Sequence, residues 1–301
     1  MTQPTLLVLA AGMGSRYGGL KQLDPVGPSG ETILDYAVFD AIRAGFGRVV
    51  FVIRRDFEEA FRSAVLGRYA GRIGVDVVFQ SLDALPGGFT PPADREKPWG
   101  TGHAVWCARD AIDGPFAVIG ADDFFGRDAF ERLAVFLRAS ALAGRGVADL
   151  CMVGYRLDRT LSEHGSVSRG ICEVGADGYL VRITERTAIE PSQLGRGDLR
   201  GDEVVSMNCF GFTKAVFAAL DRDLREFLAA RGGEPKSEFY LPSAVTGMIS
   251  RGEARVRVLP TSAEWFGVTN REDRPRVVAA LGRLVDGGDY PKSLFSKTSG
   301  R

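Results

Sequence analysis

Glycines and basic residues cluster near the N-terminus of the chain, where a short apolar run ends. The stretch reads LVLAAGMGSRYGGLKQL, with Gly12 and Gly14 directly after the apolar residues and Arg16 and Lys21 close behind. Glycines allow backbone N–H groups to approach an anion closely, and the two basic side chains would supply positive charge to phosphate oxygens. The stretch therefore predicts a phosphate-binding loop, and a glycine-rich turn with basic surface residues is the alternative.

Two common phosphate-binding loops do not fit this stretch. A dinucleotide-binding fold would need glycine at the third position of G-x-G-x-x-G, where this chain has Tyr17. A P-loop would need Gly-Lys-Ser/Thr, whereas the residues around Lys21 read GGLKQL. The stretch is therefore neither of these loops.

Two carboxylates follow another apolar run farther along the chain. Asp122 and Asp123 follow residues 116–120, which read as a buried strand, after one intervening alanine. In an open parallel sheet, ligands bind beyond the carboxyl ends of the strands, and Mg²⁺ takes one or two carboxylates together with phosphate oxygens. The pair therefore predicts a metal site for phosphate chemistry, and an acidic turn or a helix cap is the alternative.

The elements that must position these residues alternate between strand and helix in the first half of the chain. Short β-rich apolar runs predict strands at residues 5–10, 48–53, 75–80 and 116–120. Helical spacing of apolar residues predicts helices at residues 32–46, 56–69 and 103–112. This alternation predicts βαβ units and a parallel sheet covered by helices.

The second half of the chain is richer in predicted strands. They lie at residues 149–155, 168–174, 179–185 and 204–213. Helical periodicity returns at residues 214–231, 239–250 and 271–284. No long polar linker separates the two halves, so we expect a single domain over residues 1–301.

The composition bounds the class of protein. The 301 residues are 45% hydrophobic and 25% charged, which is typical of soluble globular chains. The 38 basic side chains balance 38 acidic ones, so no overall field would attract nucleic acid or anionic lipid. The apolar run near the N-terminus is too short to span a bilayer, and the four cysteines lack metal-binding spacing. A cytoplasmic enzyme with buried free thiols is therefore expected.

Together, LAAGMGSR and the later lysine resemble the signature loop of the sugar-phosphate nucleotidyltransferases, which make nucleoside-diphosphate sugars. The resemblance implies a Rossmann-like α/β fold, with a mostly parallel sheet flanked by helices and a β-rich acceptor-binding half. The nucleotide-binding half would cover about residues 1–145 and the acceptor-binding half about residues 146–301. In that family the arginine stabilises the leaving pyrophosphate and the lysine contacts phosphate oxygens, roles that fall on Arg16 and Lys21. The residues of the loop around the triphosphate would be Leu9, Ala10, Ala11, Gly12, Gly14 and Ser15.

Two further segments carry the resemblance on the nucleotide side. VIGADDFFG resembles the family's strand that ends in an Mg²⁺-binding aspartate, and Asp122 occupies the matching position. KPWGTGHA resembles the P-x-G-T-A segment whose backbone approaches the nucleobase, which implies nucleotide contacts at Gly100 and Thr101. In that family a side chain at the first glycine would collide with the base. Gln80, at the end of a predicted strand, resembles a glutamine that reaches the base edge in several relatives.

The resemblance also implies acceptor contacts. HGSVSRG resembles a glycine-bearing hairpin that touches the sugar phosphate, with Gly165 as the matching glycine. Arg169 in the same segment has the charge to bind phosphate, and an exposed strand arginine is the alternative. Glu185 matches a glutamate that accepts sugar hydroxyls, and Arg186 stands where the family has lysine. Asn208 falls on a strand that often supplies a further sugar contact.

A second metal ligand is expected near the C-terminus. Many relatives have an aspartate there after a tryptophan, but the residues after Trp265 read FGVTNRED. GVTN resembles the G-V-N-N turn of the uridylyltransferases acting on N-acetylglucosamine phosphate, where an asparagine binds Mg²⁺. Asn270 is the matching residue, and Asp273 is the alternative.

The resemblance implies transfer of an NMP group from a nucleoside triphosphate to a sugar 1-phosphate, with Mg²⁺ as cofactor and pyrophosphate as the second product. Two alternatives stay open: cytidylyl transfer to an alcohol phosphate such as phosphocholine, and a weakly active regulatory nucleotide-binding protein. Neither nucleic acid nor a membrane is expected as a partner. The family often assembles, so a homo-oligomer stays open, and the sequence identifies neither the base nor the sugar.

Overall fold

The computed structural model describes residues 3–12, 24–140, 147–162, 165–268 and 271–295. Its strands are β1 (Thr5–Leu9), β2 (Arg48–Ile53), β3 (Gly74–Phe79), β4 (Phe116–Gly120), β5 (Asp123–Phe124), β6 (Ala148–Arg156), β7 (Val167–Val174), β8 (Leu180–Ile189), β9 (Val204–Phe212), β10 (Ala254–Pro260) and β11 (Phe266–Gly267). Its helices are α1 (Ile33–Ala44), α2 (Glu58–Phe61), α3 (Gly67–Tyr69), α4 (Thr101–Cys107), α5 (Arg127–Ser140), α6 (Val216–Arg231), α7 (Leu241–Ser250) and α8 (Arg274–Asp286).

A nine-stranded mixed sheet lies at the centre of the described residues. Its main path runs in the order β10, β6, β9, β4, β1, β2 and β3, and the hairpin of β7 and β8 joins it beside β9. β1 is parallel to β2 and β4, whereas β9 is antiparallel to β4 and β6. The carboxyl ends of β1, β2 and β4 therefore share one edge of the sheet, where open α/β sheets bind their ligands.

Helices cover both faces of the sheet because side chains alternate along its buried strands. Leu6 and Val8 of β1 belong to one buried apolar cluster, which also includes Leu34 of α1 and Leu133 of α5. Leu7 points to the other face and belongs to a second cluster, with residues of α4, α6 and α7. Burial on both faces explains why the sequence of β1 is continuously apolar.

A buried polar network fixes the start of α1. The hydroxyl of Thr32 accepts a hydrogen bond from the Asp35 N–H, and the Asp35 carboxylate accepts one from the Thr32 N–H at 2.7 Å. The same carboxylate accepts hydrogen bonds from Arg68 and from the Tyr69 hydroxyl, the latter at 2.8 Å. Both oxygens of this buried carboxylate thus have donors, which offsets the cost of removing its charge from water.

The C-terminal part of the chain packs behind the ends of the strands. A third apolar cluster contains Tyr36 of α1, Phe124 of β5, Phe266 of β11 and Tyr290. The rings of Phe124 and Phe266 stack with their centroids 4.4 Å apart. The hydroxyl of Tyr290 donates to the carboxylate of Asp40 at 2.7 Å, and burial raises the pKa of Asp40 to about 6. The segment after α8 is therefore fixed to α1.

The predicted α/β fold with a β-rich second half is confirmed. The helix predicted at residues 56–69 is split, because a wider π-helical turn at Arg62–Leu66 separates α2 from α3. Apart from the two-residue strands β5 and β11, the sequence prediction omits two elements, α5 and β10. The single domain with two halves stays a prediction. No helix within the described ranges is long and apolar enough to cross a membrane.

Candidate active site

The end of β1 leads into the predicted phosphate-binding loop at the shared edge of the sheet. The N–H of Ala121, after β4, donates to the carbonyl of Leu9 at 3.1 Å and joins the two strand ends. Ala10 and Ala11 are buried, whereas Gly12 is exposed. A Cβ built on Gly12 would meet no atom of the described residues within 4 Å. The predicted loop therefore starts on the open side of the sheet edge.

Several predicted site residues lie outside the described residues, namely Gly14, Ser15, Arg16, Lys21 and Asn270. Their predicted contacts with phosphate and Mg²⁺ stay predictions. The described residues on either side still fix where the two segments join the fold, at the end of β1 and directly after β11.

The carboxylates predicted to hold a metal follow β4. Asp122 lies between β4 and β5, and Asp123 pairs with Gly267 where β5 meets β11. The N–H of Val268 donates to the carbonyl of Asp122 at 3.1 Å. A Cβ on Gly267 would lie 2.6 Å from Oδ1 of Asp123, so any larger residue there would displace this carboxylate. The segment that leads to Asn270 is therefore held beside both carboxylates.

This arrangement fits a hard divalent cation. Two adjacent carboxylates offer oxygen ligands, and Mg²⁺ usually takes one or two carboxylates together with substrate phosphate oxygens and water. Among the described residues, no group of three or more His, Cys, Asp or Glu side chains could hold a metal by itself. Asp122 and Asp123 could therefore supply carboxylate ligands to such an ion.

The segment predicted to approach a nucleobase is joined to the start of α7. Gly100 has φ 98° and ψ 179°, a conformation that is essentially restricted to glycine. A Cβ there would lie 2.6 Å from the carbonyl oxygen of Phe239, which also accepts a hydrogen bond from the Gly102 N–H at 2.9 Å. The hydroxyl of Thr101 accepts a hydrogen bond from the Leu241 N–H at 3.0 Å. The fold itself therefore requires glycine at position 100.

Gln80 supports this segment from the residue after β3. Its side chain is buried, and Nε2 donates to the carbonyl of Gly100 at 3.0 Å and to Nδ1 of His103 at 3.1 Å. Nε2 of His103 lies 2.6 Å from the carbonyl of Ala84, so we assign the proton of a neutral ring to Nε2. Burial lowers the pKa of His103 to about 4, in keeping with this assignment. The amide nitrogen of Gln80 thus positions Gly100, and its contact with a base stays a prediction.

A cavity of about 860 Å³ lies between this segment, the end of β4 and the hairpin of β7 and β8. Its lining includes Thr101 on the nucleotide side and Asp123 beside the candidate metal site. Glu185 and Asn208 of the acceptor half line the same cavity. We call it the acceptor cavity; its volume is typical of a small-molecule site. Its other polar lining residues are Ser168, Arg169, Ser206, Tyr240, Ser243 and Thr246.

Asn208 lies at an irregular point of β9. Its φ is 56°, in the left-handed region that asparagine tolerates better than most residues. The register between β6 and β9 shifts at this point, as in a β-bulge. Bulges change the direction of a side chain and are frequent beside active sites. The irregularity thus coincides with a residue on the lining of the acceptor cavity.

Two predicted acceptor residues do not line the acceptor cavity. Gly165 lies in an exposed loop before β7, and Arg186 makes a two-point ion pair with Asp198, with Nη2 2.9 Å from Oδ1. Gly170 instead lies opposite Glu185 in the hairpin and lines the cavity. The signal that could have found it is a glycine inside a predicted strand, which often marks a close approach to a ligand.

Arg169 is the cationic residue on the lining of the acceptor cavity. It is partly buried rather than an exposed strand residue, and its guanidinium carbon lies 4.8 Å from the centre of the Trp265 ring. Burial lowers the pKa of Arg169 to about 10, while the nearby charges of Asp123 and Glu185 favour its protonated form. The side chain is therefore charged at neutral pH.

Comparisons with known proteins identify the fold. No protein-family model and no curated protein matches the sequence. Among solved structures, the inositol-1-phosphate CTP transferase from T. maritima is similar at 16% identity and a TM-score of 0.62, over 95% of this chain and 97% of that one. A UDP-glucose pyrophosphorylase complexed with UDP-glucose is similar at 17% identity and a TM-score of 0.60, over 94% of this chain and 99% of that one. A Bacillus anthracis protein described as a glucose-1-phosphate thymidylyltransferase is similar at 14% identity and a TM-score of 0.62, over 93% and 95%.

The chain therefore has the fold of the sugar-phosphate nucleotidyltransferases along almost its whole length. The resemblance found in its motifs is confirmed at the level of the fold. At these identities the likeness identifies the architecture, so the reaction has to be argued from the site itself.

Proposed function

We propose that the chain transfers an NMP group from a nucleoside triphosphate to a sugar 1-phosphate and releases pyrophosphate. The observation that carries this proposal is the composition of the acceptor cavity. Thr101 of the base segment, Asp123 beside the candidate metal site and Glu185 of the acceptor hairpin line one space. This reaction needs a nucleotide, a divalent ion and a phosphorylated acceptor next to each other, and few other reactions would use this combination.

On the nucleotide side, the loop that starts at Leu9 to Gly12 would surround the triphosphate. Arg16 would stabilise the leaving pyrophosphate, and Lys21 would contact phosphate oxygens. Mg²⁺ held by Asp122, with Asn270 as a second ligand, would neutralise negative charge at the α-phosphate. Gly100 and Thr101 would lie beside the base.

On the acceptor side, the lining of the cavity favours a hydroxylated ring. Glu185 and Asn208 can bind hydroxyl groups, and five Ser or Thr side chains add further hydrogen-bonding positions, at Thr101, Ser168, Ser206, Ser243 and Thr246. The similar structures are named for inositol 1-phosphate, glucose 1-phosphate and UDP-glucose, which all contain such a ring. We therefore propose a phosphorylated ring polyol, with a sugar 1-phosphate as the first candidate.

The proposed reaction is an in-line displacement. A phosphate oxygen of the acceptor attacks the α-phosphorus, the bond from the α-phosphorus to the bridging oxygen breaks, and pyrophosphate carries away that electron pair. The nucleophile is already an anion, so no side chain has to remove a proton from it. The protein would contribute mainly by orienting the two reactants and stabilising charge.

Phosphocholine fits the acceptor cavity less well than a sugar phosphate. A quaternary ammonium group is usually recognised by open aromatic faces. The lining has two aromatic rings, Tyr240 and Trp265, and one face of Trp265 is already occupied by the guanidinium of Arg169, whose carbon lies 4.8 Å from the ring centre. The proposal therefore favours a polyol over a choline acceptor. Assembly into a homo-oligomer and a cytoplasmic location stay predictions.

The direct test is a screen of nucleoside triphosphates against phosphorylated acceptors with Mg²⁺, read by pyrophosphate release. The panel includes sugar 1-phosphates, inositol phosphates and phosphocholine. We expect turnover with at least one ring polyol phosphate and none without a divalent ion. Nucleotide binding without turnover across the panel would refute the enzyme and support a regulatory nucleotide-binding protein.

Asp122→Ala tests the metal assignment. We expect a loss of turnover of at least about 100-fold, because a carboxylate ligand of the ion is removed. The circular dichroism spectrum should stay unchanged, since the backbone contact at Asp122 uses its carbonyl. Full activity of the variant would show that the metal is bound elsewhere.

A further inference from the structure

Arg169 is a partly buried cation, and none of the ion pairs among the described residues includes it. Buried charges in proteins are normally paired, because the cost of losing hydration must be offset. The charges of Asp123 and Glu185 favour the protonated form of Arg169, whereas the charge of Arg276 disfavours it. A group with this environment is suited to receive an anion from outside the protein.

We propose that Arg169, and not its neighbour in the hairpin Arg186, binds the phosphate group of the acceptor. The proposal rests on the proposed function for the identity of the acceptor. The binding of a phosphate group at Arg169 can be tested independently of the identity of the acceptor.

The hydrogen bonds of Arg169 leave part of its guanidinium free for a ligand. Nε donates to the hydroxyl of Thr160 at 3.1 Å, Nη1 to the carbonyl of Ser168 at 2.8 Å, and Nη2 to the carbonyl of Thr160. A guanidinium has five N–H groups. One N–H on each terminal nitrogen therefore stays available, and two such donors match two oxygens of a phosphate.

The position of Arg169 fits an acceptor that reacts beside the metal site. The guanidinium is close enough to Asp123 for their charges to interact. A phosphate bound there would face the end of β4, where the proposed ion and the α-phosphate would lie. The two carboxylates of the cavity, Asp123 and Glu185, would repel a phosphate, so an opposing positive charge is needed to hold it.

Arg186 differs from Arg169 both in its place relative to the acceptor cavity and in its ion pairing. Arg186 lies directly opposite Arg169 in the hairpin, but only Arg169 lines the acceptor cavity. The guanidinium of Arg186 is bound at two points by Asp198 on the exposed side of the hairpin. Its charge is already compensated, which leaves little attraction for a phosphate in the cavity.

The first experiment measures binding of inorganic phosphate by calorimetry to four variants. We expect Arg169→Gln to weaken binding roughly 10- to 100-fold, the usual range for loss of charge-assisted hydrogen bonds. Arg169→Lys should give an intermediate loss, because it keeps the charge but not the two-pronged geometry; it also serves if the glutamine variant does not fold. Arg182→Gln is the matched control, an exposed arginine of the same hairpin paired with Glu173. Arg186→Gln tests the competing assignment.

The second experiment measures kinetics with the substrate pair found by the screen. We expect Arg169→Gln to raise the KM of the acceptor at least about tenfold while the KM of the nucleotide changes less than about twofold. A rise in the nucleotide KM instead would show that Arg169 serves the triphosphate, and would overturn the proposal. Loss of phosphate binding in Arg186→Gln with full binding in Arg169→Gln would also overturn it. If no pair turns over, the proposed function fails, and phosphate binding alone decides the role of Arg169.

Discussion

Glycine at position 100 is required by the fold, because of Phe239, and in the proposed function also by the nucleobase. Replacing Gly100 tests which of these two requirements holds. In Gly100→Ala the new Cβ would lie 2.6 Å from the carbonyl oxygen and 2.9 Å from the nitrogen of Phe239. A side chain at φ 98° and ψ 179° costs on the order of 1–3 kcal/mol, and displacing the Phe239 backbone adds roughly 1–3 kcal/mol. We therefore expect the free energy of unfolding to fall by about 2–6 kcal/mol.

Gly88→Ala is the matched control for this change. Gly88 also has a positive φ, 94°, but a Cβ there would meet no atom of the described residues within 4 Å. Its loss of stability should contain only the backbone component, about 1–3 kcal/mol. A larger loss of stability in Gly100→Ala than in Gly88→Ala, measured by urea unfolding, would support the collision with Phe239.

Two results would refute this reasoning. Equal losses of stability in Gly100→Ala and Gly88→Ala would show that Phe239 does not restrict position 100. A Gly100→Ala protein of normal stability that no longer binds nucleoside triphosphate would show that the base, and not the fold, requires glycine. Binding is measured by calorimetry at a temperature where both variants are folded.

Three further predictions concern the buried surroundings of the site. Burial lowers the pKa of His103 from 6.5 to about 4, so between these pH values the unfolded chain binds a proton that the folded chain does not. The stability contributed by the neutral ring is therefore lost as the pH falls from about 6.5 to 4. His103→Gln should therefore be less sensitive to pH than the wild type by roughly 2–3 kcal/mol over this range, measured by urea unfolding at each pH; parallel curves would contradict the assignment. Phe266→Ala should lower stability by about 3–5 kcal/mol. It should also raise the Mg²⁺ concentration needed for half-maximal turnover, because β11 holds its segment beside the carboxylates. Val278→Ala, on the exposed side of α8, is the control and should change neither quantity. Tyr290→Phe removes a hydrogen-bond donor from the buried carboxylate of Asp40 and should lower stability by roughly 1–3 kcal/mol at pH 8. The loss should be smaller below pH 6, where this carboxylate is protonated. An equal loss at both pH values would show that the hydrogen bond does not depend on the charge of Asp40.

Much of the fold is predictable from the sequence because its strongest signals are local. The buried strand at 116–120 has the predicted bounds, and α1 begins after Thr32 and ends before Gly45, as its cap residues indicate. The two omitted elements also have readable patterns. α5 has apolar residues at Phe130, Leu133 and Leu137, and β10 alternates between apolar and basic residues.

The candidate site is less predictable because its arrangement depends on contacts between distant residues. No local pattern indicates that Phe239 lies against Gly100, or that Asp198 neutralises Arg186. The burial of Arg169 depends on Trp265, which lies almost a hundred residues later in the chain. Residue type and spacing therefore predict which segments carry chemistry, whereas the choice between two arginines needs the structure.

The pairing of β5 with β11 has a consequence for the order in which the site is completed during synthesis. Phe124 packs against Phe266 and belongs to the same cluster as Tyr290, so the surroundings of the candidate metal carboxylates include residues made more than a hundred residues after the carboxylates themselves. At typical rates of 5–20 residues per second, the ribosome needs roughly 10–30 s between these two parts of the chain. Until then β5 has no partner strand, and among the described residues Tyr36 is the ring made earlier that packs against Phe124. If the carboxylates bind Mg²⁺ as proposed, a nascent chain with a complete nucleotide half would still lack part of the surroundings of that site.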